Sequence, residues 1–189
     1  TGRRFYRNHG HRRHVVRCAS KNKGGDLSKV HYDVVVIGGG IHGAGVAQAA
    51  AARGFHVLIL EQHGIGSGTS SRSSKLIHGG LRYLETAQLS LVYESLHERA
   101  LLLKNAPDLV KLTPFYIPVY KNSTRSPGII RCGLSLYALL GGLKRLFRFR
   151  KLEKSDWKNL DGLQVENLSA VYQYWDAQTD DQALTQAVL

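Results

Sequence analysis

The run Gly38-Gly39-Gly40-Ile41-His42-Gly43 constrains this chain most, because of what stands on either side of it. Directly before it, Asp33-Val34-Val35-Val36-Ile37 is short and β-branched, as expected of a parallel strand buried on both faces. After it, Ala44 to Arg53 is alanine-rich and strongly helix-forming, and Gly54 falls where a C-cap glycine belongs. His56-Val57-Leu58-Ile59-Leu60 reads as a second buried strand, closed by Glu61. Strand, glycine turn, helix, strand and an acid about 20 residues on form the context that a dinucleotide-binding βαβ unit requires.

Each residue has a physical task in that unit. Gly38 permits the tight turn, Gly40 lets the backbone approach a pyrophosphate with no Cβ in the way, and Gly43 lets the helix pack close to the strand. The helix N-terminus, around Ile41 and His42, offers unpaired N–H groups and a partial positive charge to phosphate. Glu61, at the carboxyl end of the second strand, accepts from both ribose hydroxyls and disfavours a 2′-phosphate, which argues against NADP.

The choice of dinucleotide turns on the next stretch. Eleven of the twenty glycines fall between Gly38 and Gly80, well past the first loop. Residues 64–83 interleave glycine and hydroxyl side chains with Lys75, His78 and Arg82 and with apolar Leu76, Ile77 and Leu81. A Ser/Gly-rich loop after the acid suits a longer cofactor, whose phosphates and ring system it can line with hydroxyls and backbone donors. The candidates for cofactor contact are therefore Gly38, Gly40, Ile41, His42, Gly43, Glu61, Thr69, Ser70, Ser74, Lys75, Ile77, His78 and Gly79.

Two of these motifs carry a family resemblance. Gly38 to Gly45, together with Thr69-Ser70-Ser71-Arg72-Ser73-Ser74-Lys75-Leu76-Ile77-His78-Gly79-Gly80-Leu81-Arg82-Tyr83-Leu84-Glu85, resembles the FAD-dependent, quinone-linked glycerol-3-phosphate dehydrogenases. Tyr174-Trp175-Asp176 and Asp180-Asp181 are similar to the Tyr-x-Asp-x-x-x-Asp-Asp region of that family. The sequence departs from the family at His42, where Asn is common, and at Ala183, where Arg usually precedes Leu. The resemblance implies an α/β fold: a Rossmann-type FAD-binding domain of the glycine/D-amino-acid oxidase superfamily, incomplete, with the start of a substrate domain. It implies FAD as cofactor and glycerol 3-phosphate as substrate, with hydride passing from C2 to flavin and electrons then to quinone. It also puts Arg82 and Tyr83 at the substrate pocket, where an Arg fork suits a phosphate dianion. A homodimer and peripheral attachment to the inner membrane (mitochondrial in a eukaryote) are further implications. The readings left beside it are another flavin oxidase or dehydrogenase acting on an amine, a 2-hydroxy acid or a polyol, and a basic module binding polyanion or lipid.

The charge of +12 is uneven: residues 1–30 hold nine Lys or Arg against one acid, Asp26. With no apolar period, that segment reads as a disordered basic tail, open to roles as a transit peptide, a polyanion-binding arm or a solvated extension. Nucleic acid is not expected as a partner. Residues 31–189 form the oxidoreductase portion, with the FAD motifs in 33–85 and helical, substrate-side elements in 86–189. Apolar residues at Leu89, Val92, Leu96, Ala100 and Leu103 predict a long amphipathic helix over 85–105, stopped before Pro107. Phe115-Tyr116-Ile117-Pro118-Val119 predicts an edge strand. Leu134 to Leu140, leading into the bases of 144–151, predicts an amphipathic segment suited to an anionic membrane surface. Cys18 and Cys132 make no disulfide framework, and no Cys/His cluster has metal-ligand spacing. The missing initiator Met and an ending inside an apparent helix, Leu184 to Leu189, predict an excerpt that binds FAD weakly and turns nothing over.

Overall fold

The computed structural model describes residues 4–6, 14–20, 31–142 and 148–189. It divides into two compact units: Thr1–Lys75 with Asp180–Leu189, and Leu76–Thr179.

The first unit is built on a sheet of β1 (Arg4–Tyr6), β2 (His14–Ser20), β3 (Val34–Ile37) and β4 (Val57–Glu61), in the order β1-β2-β4-β3. β3 and β4 are parallel and joined by α1 (Ile41–Ala52), the crossover expected from the sequence. α1 packs through Ala44, Ala47 and Ala51 onto Val34, Val36, Val57 and Ile59. Small side chains on the helix and branched ones on the strands let the two layers approach closely, and each fully buried Val or Ile contributes about 1.5–3 kcal/mol. After Gly54, in the left-handed region at φ 94°, the chain turns back into β4. α4 (Asp181–Val188) begins on Asp180, whose carboxylate accepts from Ala183 N at 2.9 Å, and brings Val188 and Leu189 to the same core.

Two features differ from the sequence expectation. Burial on both faces holds at Val57, Leu58 and Ile59 of β4 but not throughout: Val35, Ile37 and Leu60 are exposed, on the face opposite the one that α1 covers. Within the stretch read as a disordered tail, residues 4–6 and 14–20 form strands, and β2 adds in parallel to β4 from Val16↔Val57 to Ser20↔Glu61. An open strand edge pairs with any extended segment that reaches it, and His14-Val15-Val16-Arg17-Cys18 is β-capable despite its charge. The rest of the expected tail lies outside the described residues.

The second unit is an antiparallel sheet in the order β5-β8-β6, of β5 (Leu76–Ile77), β6 (Val110–Tyr120) and β8 (Leu168–Thr179), with β7 (Arg150–Lys151) also on β8. β6 and β8 pair from Val110↔Thr179 to Tyr120↔Leu168, with a bulge at Val119/Tyr120. β6 is an edge strand, which accommodates Pro114 and Pro118. α2 (Leu89–Asn105) starts later than the apolar period suggested, because residues 81–86 form a 3-10 turn and Ala87 turns at φ 54°. α3 (Pro127–Leu140) has Pro127 in its first turn and Ser126 as cap. Val92 and Leu96 of α2 meet Tyr137 of α3, while Leu134 meets Val119, Ala170 and Tyr172 of the sheet.

Candidate functional site

In the first unit, the turn between β3 and α1 has the geometry that a pyrophosphate cradle needs. Gly38 lies at φ 101°, where only glycine is unstrained. A Cβ at Gly43 would stand on the carbonyl oxygen of Gly38, far inside van der Waals contact, and 3.3 Å from Val36 Cγ1. Helix and strand therefore approach through this one missing side chain. A Cβ at Gly40 would lie 3.1 Å from Ser70 Oγ, so the hydroxyl sits directly over the turn. Ser70 Oγ also accepts from Ile41 N at 2.9 Å, which brings together two candidate residues 29 positions apart. α1 has no acid in its first turn, and its positive end is not neutralised. His42 follows in that turn, exposed.

Glu61 closes the unit from the strand side. Its Oε2 accepts from Gly39 N at 2.7 Å and its Oε1 from His63 N at 2.9 Å. These backbone donors, His63 first, hold its carboxyl below the ordinary value of 4.5. A depressed carboxylate stabilises the fold above its unfolded pKa, and that contribution is lost as pH falls through the folded one. The full-length protein is therefore expected to lose melting temperature below about pH 4.5. Glu61→Gln should lose less over the same range; equal pH slopes for parent and variant would show that the bonds contribute nothing.

The loop after Glu61 is held by local bonds. Thr69–Ser71 is a short 3-10 turn, and Ser71 Oγ donates to the carbonyls of Ser67 and Gly68. Lys75 takes a left-handed backbone at φ 59° and its N–H donates to Ser73 Oγ. Ser73 Oγ in turn donates to Asp181 Oδ2 at 2.6 Å, a link that the spacing of the two motifs did not reveal. Ser74 and Thr69 are both exposed, and Ser70 is half-buried. The glycine turn, the serine over it and the carboxylate at the strand end fit the ADP half of a dinucleotide such as FAD. These same residues would hold its pyrophosphate and ribose.

The remaining candidates, Ile77, His78, Gly79, Arg82 and Tyr83, belong to the second unit. Ile77 is in β5 and pairs with Ala177. His78 Nδ1 accepts from Gly80 N at 3.2 Å, so the neutral ring carries its proton on Nε2 and can donate outward. Gly79 is buried against Leu96 and Tyr137, with no room for a Cβ. Gly80 is left-handed at φ 71°, and the Tyr83 ring stacks where its Cβ would be, 2.6 Å from Cδ2. Arg82 is exposed on the 3-10 turn Leu81–Thr86 and forms no ion pair among the described residues. An open cleft of about 420 Å³ also belongs to this unit, lined by Ile117, Val119, Ser123 and Arg125 but by none of these candidates.

Arg99 and Tyr137 were not among the candidate residues read from sequence, and Asp176 entered only through the family likeness of Tyr174-Trp175-Asp176. Arg99 Nη1 donates to Asp176 Oδ1, to Tyr137 Oη at 3.1 Å and to the carbonyl of Trp175 at 3.2 Å. Arg99 is wholly buried and Asp176 nearly so. Burial pushes the Asp176 carboxyl above the usual range, while Arg99 and the N–H groups of Ala177 and Gly79 pull it back. A signal did exist in the sequence, since an Arg stands on the α2 face that also carries Val92 and Leu96.

Residues 33–189 match the family described as FAD dependent oxidoreductase. A glycerol-3-phosphate dehydrogenase of Synechocystis sp. is 42% identical over 156 residues, which is 82% of this chain and 28% of that protein. The chain thus spans between a quarter and a third of the length of such relatives. The crystal structure of glycerol-3-phosphate dehydrogenase from Bacillus halodurans, complexed with FAD, is 29% identical with a TM-score of 0.55, covering 87% of this chain and 25% of that one. Glycine oxidase from Geobacillus kaustophilus is similar in fold, with a TM-score of 0.58 at 22% identity over 83% of this chain and 43% of its own.

Proposed function

The chain belongs to the FAD-dependent oxidoreductase family, with the α/β FAD-binding fold of the glycine oxidase group, and from that premise we propose that it is the N-terminal portion of a glycerol-3-phosphate dehydrogenase. The substrate is sn-glycerol 3-phosphate, the product dihydroxyacetone phosphate and the final acceptor a quinone. The observation that carries this reading is Arg82, an exposed guanidinium on a short turn directly after a glycine pair, with no ion-pair partner among the described residues. An unengaged Arg fork is suited to a phosphate dianion, which it binds bidentately. The 42% identity to a protein of that name supports the same assignment.

FAD, when bound, supplies the hydride acceptor. The chain's own residues bind and orient. Gly38, Gly40, Gly43 and the first turn of α1 would hold the pyrophosphate, Ser70 and Thr69 would hydrogen-bond it, and Glu61 would accept from the ribose. Ser74 and Lys75 would line the cofactor further along the first unit; Ile77, His78 and Gly79, in the second unit, are the residues that the family likeness offers to it there. Arg82 fixes the substrate phosphate, and Tyr83 hydrogen-bonds substrate and walls the pocket.

No helix among the described residues is long and apolar enough to cross a membrane. Peripheral attachment to the inner membrane is the proposed location, through the apolar and basic segment 134–151, of which residues 143–147 lie outside the described ones. A homodimer is the proposed assembly.

The test is steady-state turnover of the full-length, flavin-loaded protein with glycerol 3-phosphate and an artificial electron acceptor. Robust reduction with glycerol 3-phosphate and little with glycine, a 2-hydroxy acid or glycerol is the expected result. A flavin-loaded protein that ignores glycerol 3-phosphate but oxidises one of the others would sink the assignment.

A further inference from the structure

The second unit contains a buried polar cluster that the proposed reaction does not use. Arg99 comes from α2, Tyr137 from α3 and Asp176 from the middle of β8, so three elements converge on one guanidinium nitrogen. Burying an ion pair is expensive, and a well-packed apolar pair of similar volume often gives an equal or greater stability. Stability is therefore a weak reason for this pair to be here, and its other bonds suggest a different one.

Besides Arg99, the acid accepts from the backbone of its own neighbour Ala177 and from the first glycine of the pair. Asp176 Oδ1, the same oxygen that Arg99 engages, accepts from Gly79 N at 3.3 Å. Gly79 lies on the Tyr137 hydroxyl and Leu96, too close for any side chain. Gly80 follows in the left-handed region, with His78 Nδ1 taking its N–H, and the 3-10 turn carrying Arg82 and Tyr83 begins at the next residue. The direction in which that turn leaves the core is thus fixed at Gly79 by a single hydrogen bond and a steric wall. Arg99 orients both the acid that makes the bond and the tyrosine that forms the wall.

We infer that the Arg99–Asp176 pair is a positioning device, which locks Gly79 and so presents Arg82 and Tyr83 to the substrate. The inference rests on the proposed reading of Arg82 and Tyr83 for its kinetic consequence, but not for its structural one. Arg99 and Asp176 touch no substrate; they act through the backbone of residues 79–83.

The test uses the full-length, FAD-loaded protein carrying Arg99→Met together with Asp176→Leu, which removes both charges and keeps an apolar core of similar volume. The expected result is a melting temperature and flavin content close to the parent. Amide exchange over residues 79–83 should rise at least tenfold, with exchange in α2 and β8 unchanged. The KM for glycerol 3-phosphate should rise at least fivefold. Parental exchange over 79–83, or a rise shared equally by α2 and β8, overturns the inference, since a merely structural pair moves either nothing or everything. If the double variant does not fold, Arg99→Lys is decided by the same exchange pattern, because it keeps the charge but shortens the reach to Tyr137 and Trp175. If the parent does not oxidise glycerol 3-phosphate, the proposed function fails while the exchange measurement still decides the positioning role.

Discussion

Gly43→Ala is expected to abolish flavin retention. The new Cβ meets the carbonyl oxygen of Gly38, a backbone atom in the turn itself, and Val36 closes the other side at 3.3 Å. A flexible side chain could move aside, but here either α1 must lift from β3 or the turn must open, and each change takes the first-turn N–H groups away from the pyrophosphate. Overpacking of this kind costs about 3 kcal/mol or more, and at least a tenfold loss of bound flavin is the expected reading from the flavin-to-protein absorbance ratio. Gly45→Ala is the matched control, two residues along the same helix, with nothing within 4 Å of its Cβ. It should keep its flavin and gain up to about 1 kcal/mol in helix propensity. Equal flavin content in the two variants would refute the close-approach argument.

The second large effect is kinetic. Arg82→Ala should lower kcat/KM for glycerol 3-phosphate by a factor on the order of a hundred or more, since a bidentate, charge-assisted contact is worth about 3 kcal/mol. The loss should fall mainly on KM, with flavin content unchanged, because Arg82 belongs to the second unit and not to the pyrophosphate cradle. Arg82→Lys should recover part of it, keeping charge but not the planar fork. A parental KM in Arg82→Ala would remove the residue from the substrate site and, with it, the observation on which the functional assignment rests.

Much of the first unit was legible because its signals are local. β3, the glycine turn, α1 and β4 follow one another within thirty residues, each with its own period or breaker. α2 and the edge position of β6 were equally readable, from three-and-four spacing and from Pro118. What resisted reading is what pairs at long range. The Ser70 hydroxyl at Ile41 N spans 29 residues, and the Arg99–Asp176 pair spans 77. The sequence analysis followed the α2 stripe through Leu96 to Ala100 and passed over Arg99, since a charge on an apolar face reads as solvent-facing until its partner is known. β8 was visible only as a family likeness: its twelve residues carry Tyr, Gln, Trp and Asp with no strict alternation, because the strand is largely buried on both faces. At residues 14–20 composition misled, as dense positive charge masked a β-capable core that pairs with an open edge.

The partly exposed face of β3 and β4 bears on how the protein is handled at the bench. Ile37 is 86% exposed and Val35 53%, and Leu60 lies beside Ile37 in the paired register. Val35, Ile37 and Leu60 thus make a short greasy stripe, although Leu58, paired with Val35 on the same face, is buried. Such a stripe is an aggregation liability. These 189 residues produced in isolation should scatter light at concentrations where the longer protein stays clear. Val35→Thr with Ile37→Thr would be the first pair of changes to make before crystallisation or titration of the isolated piece.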